Sequence, residues 1–135
     1  MMKKIKTILI VDDDPIFTEI ATMLLHHLQV AEQVLSVVNG QQALALLHAC
    51  TGADAGRDCP DLILLDINMP VMNGLEFLEE FQGLSLTSTP RVVICTSSQE
   101  PYELSEISGY GVMGILTKPL KPDNLHAMLA LWQQQ

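Results

Sequence analysis

ILIVDDDP, residues 8–15, is a continuous apolar run that ends in three consecutive aspartates and a proline. Apolar runs without polar alternation are typical of strands that are buried on both faces of a parallel sheet. Asp14 followed by Pro15 is typical of a helix N-cap with proline at the first helical position. The stretch therefore predicts a buried strand, a polar strand end and the start of a helix.

The same order, a short apolar run followed by a longer amphipathic segment, recurs along the rest of the chain. The predicted strands are Thr7–Val11, Gln33–Val38, Leu62–Leu65, Val92–Cys95 and Gly114–Leu116. Five helices are predicted. The first begins at Pro15, the third at Asn73 and Gly74, and the fifth near Pro122 or Asp123. The second covers Gln41–Ala49 and the fourth covers Pro101–Ser108. This alternation predicts an α/β fold, an open parallel sheet with helices on both faces. The functional site of such a sheet lies beyond the carboxyl ends of its strands.

Apolar stripes support two of these helices. In the first helix, Ile16, Ile20, Met23, Leu24 and Leu28 recur at helical spacing. In the last helix, the stripe consists of Leu125, Met128, Leu129 and Trp132, and we expect Trp132 to belong to the core. Thr51–Pro60, which contains two glycines, two alanines and a proline, is predicted to be a loop.

Size and composition limit the possible classes of protein. A chain of 135 residues suits one domain, residues 1–135, and 48% hydrophobic residues exclude disorder. The net charge of −9 disfavours binding to nucleic acid and to anionic membrane surfaces. No apolar stretch approaches the length of a transmembrane helix, so we expect a soluble, cytoplasmic protein.

The three cysteines, Cys50, Cys59 and Cys95, predict neither a disulfide framework nor a zinc site. Their number is odd, no CxxC is present, and their neighbourhoods are unrelated. We therefore expect three reduced thiols, with Cys95 buried inside the fourth strand as a small apolar residue.

Polar side chains with complementary chemistry follow the predicted strands. They are Asp12, Asp13, Asp66, Thr96 and Lys118. Carboxylates crowded in one cleft repel one another, and a hard cation or an ammonium group relieves that repulsion. Mg²⁺ binds through one or two carboxylates together with phosphate oxygens, and lysine serves as a point charge for a phosphoryl group. An aspartate in such a site can act as a nucleophile and form an acyl phosphate.

Four motifs in this order resemble the response-regulator receiver domains, a CheY-like superfamily, over nearly the whole chain. They are ILIVDDDP (Ile8–Pro15), DLILLDINMPVMNG (Asp61–Gly74), VVICTSS (Val92–Ser98) and LTKPL (Leu116–Leu120). The resemblance implies a five-stranded (βα)5, flavodoxin-like sheet with strand order 2-1-3-4-5. It also implies phosphorylation by a histidine kinase or a phosphotransfer protein, and an unidentified downstream protein target.

The resemblance assigns a role to each matching residue. Asp66 is implied as the phosphoacceptor, Thr96 as the switch hydroxyl and Lys118 as the contact to the phosphoryl group. The implied ligands of Mg²⁺ or Mn²⁺ are Asp12, Asp13, Asp66 and the backbone carbonyl of Asn68. Pro119 follows the lysine, and the peptide bond before it is often cis in the family.

One residue departs from the pattern of the family. An aromatic residue usually lies three positions before the lysine, where this chain has Ile115. The hydroxyl half of the switch is therefore present and the aromatic half is absent. Only three glutamines follow Trp132, so we expect a stand-alone receiver that is a monomer or a weak dimer. A receiver cut from a larger regulator would have the same sequence, and this alternative stays open.

Three functions compete on this sequence. The first is a signalling switch phosphorylated at Asp66, which is not an enzyme beyond its own phosphorylation and slow dephosphorylation. The second, suggested by Ile115, is an interaction module that does not use phosphorylation. The third is a phosphohydrolase with an aspartyl nucleophile, which would need a second aspartate where this chain has Asn68. A nucleotide-binding role lacks support, because neither GxGxxG nor GxxxxGK[ST] occurs.

Overall fold

A computed structural model of the protein describes residues 4–50, 59–86, 88–97 and 101–134, with side chains for all of these except 101–104. Strands and helices alternate along this part of the chain, as predicted. The strands are β1 (Ile5–Val11), β2 (Ala31–Val37), β3 (Leu62–Leu65), β4 (Arg91–Thr96) and β5 (Gly114–Thr117). The helices are α1 (Pro15–Leu28), α2 (Gly40–His48), α3 (Gly74–Phe81), α4 (Pro101–Ser108) and α5 (Pro122–Gln133). Residues 51–58 of the predicted loop Thr51–Pro60 lie outside the described residues.

The five strands form one parallel sheet in the order β2-β1-β3-β4-β5. Every residue of β3 is buried, and in β1 only Lys6 is exposed. This explains why both strands are nearly continuous in isoleucine, leucine and valine. The predicted fold class and strand order 2-1-3-4-5 are confirmed.

Alternate residues of the central strands supply two cores, one on each face of the sheet. Ile8 and Ile10 pack on the face that α1 and α5 cover, whereas Leu9 and Val11 pack on the face that α2 and α3 cover. The strand period of two residues sends neighbouring side chains to opposite faces. Among the helices in the described ranges, none combines the length and the apolar composition that crossing a bilayer requires.

Side-chain caps fix the starts of α1, α2 and α3 at the carboxyl edge of the sheet. Asp14 Oδ1 accepts a hydrogen bond from the Ile16 N–H at 3.0 Å, as predicted for an N-cap. Asn73 and Glu76 form a reciprocal capping box at the start of α3. A Cβ on Gly74 would lie 2.6 Å from the carbonyl oxygen of Asp66, so only glycine permits this close approach. The caps and Gly74 hold the loop after β3 close to Asp66.

The buried face of α1 differs from the predicted stripe. Phe17, Ala21 and Leu25 are buried, and Leu24 and Leu28 pack partly against the same core. Ile16, Ile20 and Met23 are instead exposed by 67%, 48% and 65%. The prediction was wrong for these three because α1 carries two apolar stripes at helical spacing, and spacing alone does not select the inner one.

The prediction of three free thiols is wrong for two of the cysteines. Cys50 and Cys59 form a disulfide, with their Cα atoms 5.6 Å apart. Cys50 follows α2, which returns to the amino edge of the sheet, and Cys59 shortly precedes β3 at the same edge. The fold therefore brings together two cysteines whose neighbourhoods in the sequence look unrelated. Cys95 is a free and buried thiol, as predicted.

Candidate phosphoacceptor site

The predicted site residues meet at the carboxyl edge of the sheet. Asp12 follows β1, Asp66 follows β3, Thr96 ends β4 and Lys118 follows β5. The Asp66 N–H donates to the Val11 carbonyl at 2.9 Å, and the Lys118 N–H donates to the Thr96 carbonyl at 2.9 Å. Continued strand pairing therefore places side chains from distant parts of the chain beside one another. The peptide bond between Lys118 and Pro119 is cis.

Three carboxylates converge in this cleft. Asp12, Asp13 and Asp66 each present an oxygen, and these oxygens all lie within 4.8 Å of one another. Asp12 and Asp66 are buried, whereas Asp13 is exposed. Oxygens bound to one Mg²⁺ lie roughly 3 to 4 Å apart, because Mg–O distances are about 2.0–2.1 Å. The group therefore fits a hard divalent cation after a small contraction, with the exposed side left for water or phosphate oxygens.

Lys118 supplies the positive charge of the site. Its Nζ lies 2.7 Å from Asp12 Oδ2 and 3.7 Å from Asp66 Oδ2. Burial lowers the pKa of Lys118, but its hydrogen bond to Asp12 and the charges of Asp12 and Asp66 outweigh this, so the pKa is raised. The ammonium group therefore stays charged beside the two buried carboxylates.

Asp66 carries the most strongly perturbed carboxyl group of the cleft. Burial, followed by the negative charge of Asp12, raises its pKa from 3.8 to about 6. Lys118 and a 2.9 Å hydrogen bond from the Ile67 N–H to Asp66 Oδ1 oppose this rise. At neutral pH the carboxylate remains mostly ionised, but its ionisation is costly. A group in this state gains from any cation that joins the site.

Asp12 is held on both of its oxygens. Oδ1 accepts a hydrogen bond from the Asp14 N–H at 2.9 Å, and Oδ2 pairs with Lys118. Asp66 Oδ2 accepts no hydrogen bond within the described residues and lies toward Lys118. Of the two buried carboxylates, Asp66 is therefore the one with an oxygen available for a new bond.

The remaining predicted residues lie around this centre. Thr96 is buried at the end of β4, and Asn68 is exposed two residues after Asp66. The roles of the Thr96 hydroxyl and of the Asn68 carbonyl remain predictions. Ile115 lies on the edge strand β5 with 37% exposure. Burial raises the pKa of the neighbouring Cys95 to about 12, so this thiol stays protonated at neutral pH.

One residue of the site was missed by the sequence analysis. The ring of Phe17 lies under the ammonium group of Lys118, with Nζ 4.3 Å from the ring centroid. The only sequence signal is the helical spacing of Phe17, Ala21 and Leu25, which marks the inner face of α1 but gives no indication of a cation.

Known proteins are similar to this chain in sequence or in fold. The nitrate/nitrite response regulator protein NarL of Escherichia coli (strain K12) is 33% identical over 119 residues, covering 88% of this chain and 50% of that protein. A two component response regulator from Cytophaga hutchinsonii has a TM-score of 0.84 at 26% identity, covering 98% of this chain and 100% of that chain. The Vibrio cholerae chemotaxis protein CheY4 has a TM-score of 0.74 at 27% identity, covering 93% and 96%. This chain spans about half the length of NarL.

The family described as response regulator receiver domain matches residues 8–130, which is most of the chain. The match includes all the strands except the first residues of β1, and all the site residues named above. Receiver domains of two-component systems interact with histidine kinases or phosphotransfer proteins. The chain belongs to the response regulator receiver domain family.

Proposed function

We propose that this protein is a phosphoryl-accepting switch in which Asp66 takes a phosphoryl group from a histidine kinase or a phosphotransfer protein. The observation that carries the proposal is the position of Lys118 Nζ, 2.7 Å from Asp12 and 3.7 Å from Asp66, beside three carboxylates within 4.8 Å. Charge on a transferring phosphoryl group needs positive partners at this position.

The transfer forms one bond and breaks one bond. A carboxylate oxygen of Asp66 attacks the phosphorus atom of a phosphohistidine, the P–O bond forms and the P–N bond breaks. The electron pair of the P–N bond remains on the imidazole nitrogen, and one ring proton, already on the other nitrogen or taken from solvent, makes the released imidazole neutral. In dephosphorylation, water attacks the phosphorus, which restores the Asp66 carboxylate and releases inorganic phosphate.

We assign a different electrostatic role to each residue of the cleft. Asp12, Asp13, Asp66 and the Asn68 carbonyl would hold Mg²⁺ or Mn²⁺, and the bound cation supplies positive charge to the phosphoryl oxygens. Lys118 contacts a phosphoryl oxygen as a point charge. Thr96 donates a hydroxyl hydrogen bond to another phosphoryl oxygen. Release of the repulsion between Asp12 and Asp66 favours cation binding before transfer.

An exposed apolar patch beside the site supports docking of a protein phosphodonor. Ile16, Ile20 and Met23 lie on the outer stripe of α1, which begins directly after the aspartates. Apolar side chains at i, i+4 and i+7 suit contact with a partner helix. Their place beside the cleft would bring a histidine on that helix close to Asp66.

One residue favours the alternative function, an interaction module that does not use phosphorylation. Ile115 lies on β5 without the aromatic ring that the family usually places there, so the coupling from Thr96 to the outer face has lost a component. A module that ignores phosphorylation would bind its target with equal affinity in both states, and equal affinity cannot drive a switch. Measuring the affinity of a target for both states separates these functions.

We further propose that the protein turns over no general phosphate ester. Asn68, at the position where an aspartyl phosphatase needs a general acid, is an amide and cannot transfer a proton to a leaving group. A substantial Mg²⁺-dependent rate on such esters that disappears in Asp66→Asn would contradict this.

Intact-mass measurement after incubation with acetyl phosphate tests the proposed function directly. We expect one added phosphoryl group that requires both Mg²⁺ and Asp66, so that EDTA or Asp66→Asn removes it. Asp61→Asn is the matched control, because Asp61 lies at the other end of the same strand and should not affect the addition. No addition to the wild-type protein, from acetyl phosphate or from a phosphorylated histidine phosphotransfer domain, would favour the interaction module.

A further inference from the structure

Phe17 lies between the core and the site. It is the third residue of α1, it is 7% exposed, and it packs with the cluster that α1 and α5 form against the sheet. Its ring also faces the cleft, because Lys118 Nζ lies 4.3 Å from the ring centroid. That distance is within the range of a cation–π interaction, in which the negative face of the ring attracts an ammonium group.

The hydrogen-bond capacity of Lys118 gives this contact a consequence for the reaction. An ammonium group has three donors and no acceptor. In Lys118 one donor serves Asp12 at 2.7 Å, whereas Asp66 at 3.7 Å lies beyond hydrogen-bond distance. The ring covers a further side of the ammonium group without adding an oxygen acceptor. Phe17 therefore stabilises the charge, and among the described residues only Asp12 takes a hydrogen bond from the ammonium group, which leaves two donors for an incoming phosphoryl oxygen.

We propose that Phe17 is a positioning residue for phosphoryl transfer, whose ring face holds the Lys118 ammonium group in the cleft beside Asp66. The inference rests on the proposed function, since it assigns Phe17 to the same reaction. In this role Phe17 acts through the ammonium group of Lys118.

A purely structural role for Phe17 makes a different prediction. Phe77 shows what such a role looks like, since it is fully buried and stacks on Phe81 with a ring-centroid distance of 5.5 Å. If Phe17 only filled space, changes that preserve the shape of its ring would leave the reaction unaffected. If its ring face holds the ammonium group, changes in the charge distribution of the ring would alter the rate while the fold stays intact.

Stepwise fluorination of the ring separates the two roles. Fluorine withdraws electron density from the ring face and changes its shape little, so the attraction for a cation falls with each added atom. We would place phenylalanine with one, two and three fluorine atoms at position 17 of the full chain. The measurement is the initial rate of phosphoryl addition from acetyl phosphate with saturating Mg²⁺. The same series at Phe81, which contacts Phe77 rather than Lys118, is the control.

We expect the rate to fall progressively along the Phe17 series, by about three- to tenfold at three fluorine atoms, which matches the loss of a partly desolvated cation–π contact. The rate of the Phe17→Leu variant should fall by a similar factor, and the rate of the Phe17→Tyr variant should stay near the wild-type rate. The Phe81 series should be flat. Melting temperatures of the fluorinated proteins should stay close to wild type, as a structural control.

Three results would overturn the inference in distinguishable ways. A wild-type protein that takes phosphate, together with a flat Phe17 series, would contradict the positioning role and leave the proposed function intact. A wild-type protein that takes no phosphate from any donor would contradict both. A fall of equal size in the Phe81 series would show that fluorination acts through packing, and would also contradict the positioning role.

Discussion

Two aspartates flank β3, with Asp61 directly before its first residue and Asp66 directly after its last. Asp61 Oδ2 accepts a hydrogen bond from the Thr7 N–H at 3.1 Å. The Asp61 N–H donates to the Thr7 carbonyl, and the Asp61 carbonyl accepts from the Arg91 N–H. The carbonyl of Asp61 also accepts from Trp132 Nε1 at 3.4 Å. Asp61 thus ties β1, β3, β4 and α5 together at the amino edge of the sheet.

Asp66 has a different environment at the carboxyl edge. Its own neighbour Ile67 supplies the only hydrogen bond to its carboxylate within the described residues. Asp12 lies close enough to repel it, and Lys118 at 3.7 Å compensates in part. The same residue type therefore stabilises the fold at one end of β3 and carries an unfavourable charge at the other. Active sites typically carry such costs, because catalysis needs groups whose charges are not yet satisfied.

The largest expected effect concerns the stability of the metal-free protein. The raised pKa of Asp66, about 6 instead of 3.8, means that the folded state binds the proton more tightly than the unfolded chain does. Stability therefore falls as the pH rises from about 4 to about 6, by up to about 3 kcal/mol from this group. Asp66→Asn should remove this loss and raise the free energy of unfolding at pH 7 by a similar amount.

Urea unfolding in EDTA at pH 4 and pH 7 measures this effect. The difference between Asp66→Asn and wild type should be large at pH 7, small at pH 4, and smaller at pH 7 once Mg²⁺ is added. Asp61→Asn should show no such gain at pH 7. An Asp66→Asn protein that is less stable than wild type in EDTA at pH 7 would mean that Lys118 outweighs burial and Asp12.

The opposite end of β3 should respond in the opposite direction. Asp61→Ala removes the acceptor of the Thr7 N–H, and Thr7 is fully buried. A buried donor without a partner costs about 1–3 kcal/mol, so the free energy of unfolding should fall by about 2 kcal/mol. Phosphoryl addition at Asp66 should continue in this variant. Asp61→Asn keeps an acceptor oxygen and should recover most of the loss, whereas equal losses in both variants would implicate the charge instead.

Most of the carboxyl edge was predictable, because its signals are local and ordered along the chain. Apolar runs predicted the strands, and the rule that parallel strands end at one edge brought Asp12, Asp66 and Lys118 together. The cap at Asp14 was equally local, since a single residue and the following proline determine it. The resemblance then supplied the strand order and the roles.

The features that were missed depend on which face or which edge two segments share. Ile16 and Phe17 are adjacent apolar residues, and only packing against the sheet decides that Phe17 lies inside and reaches Lys118. Cys50 and Cys59 pair because a helix and a strand meet at the amino edge. The structural role of Asp61 likewise arises from partners in β1, β4 and α5, which no spacing within Asp61–Gly74 indicates.

The two exposed aspartates at the carboxyl edge, Asp13 and Asp14, should differ in their effect on the binding of a divalent cation. Asp13 contributes an oxygen to the cluster of three carboxylates, whereas Asp14 uses an oxygen to cap α1. Asp13→Asn should weaken Mg²⁺ binding by at least about tenfold, roughly 1.4 kcal/mol, because it removes a charged ligand. Isothermal titration calorimetry checks this, with Asp14→Asn as the matched control. Equal weakening in both variants would indicate a general effect of local charge rather than ligation.

The smallest expected effect concerns a strained residue in the loop after Asp66, at the carboxyl end of β3. Val71 has a φ of 69°, a left-handed conformation that is costly for a β-branched residue, and its side chain is 74% exposed. Val71→Asn should raise the free energy of unfolding by about 0.5–1 kcal/mol, because asparagine tolerates this conformation and little apolar burial is lost. Val38→Asn is the control, since Val38 is 51% exposed and its φ is not positive. A gain at Val71 with unchanged phosphoryl addition would show that the strain is a by-product of the tight loop, whereas a gain with slower addition would show that the strained loop serves the site.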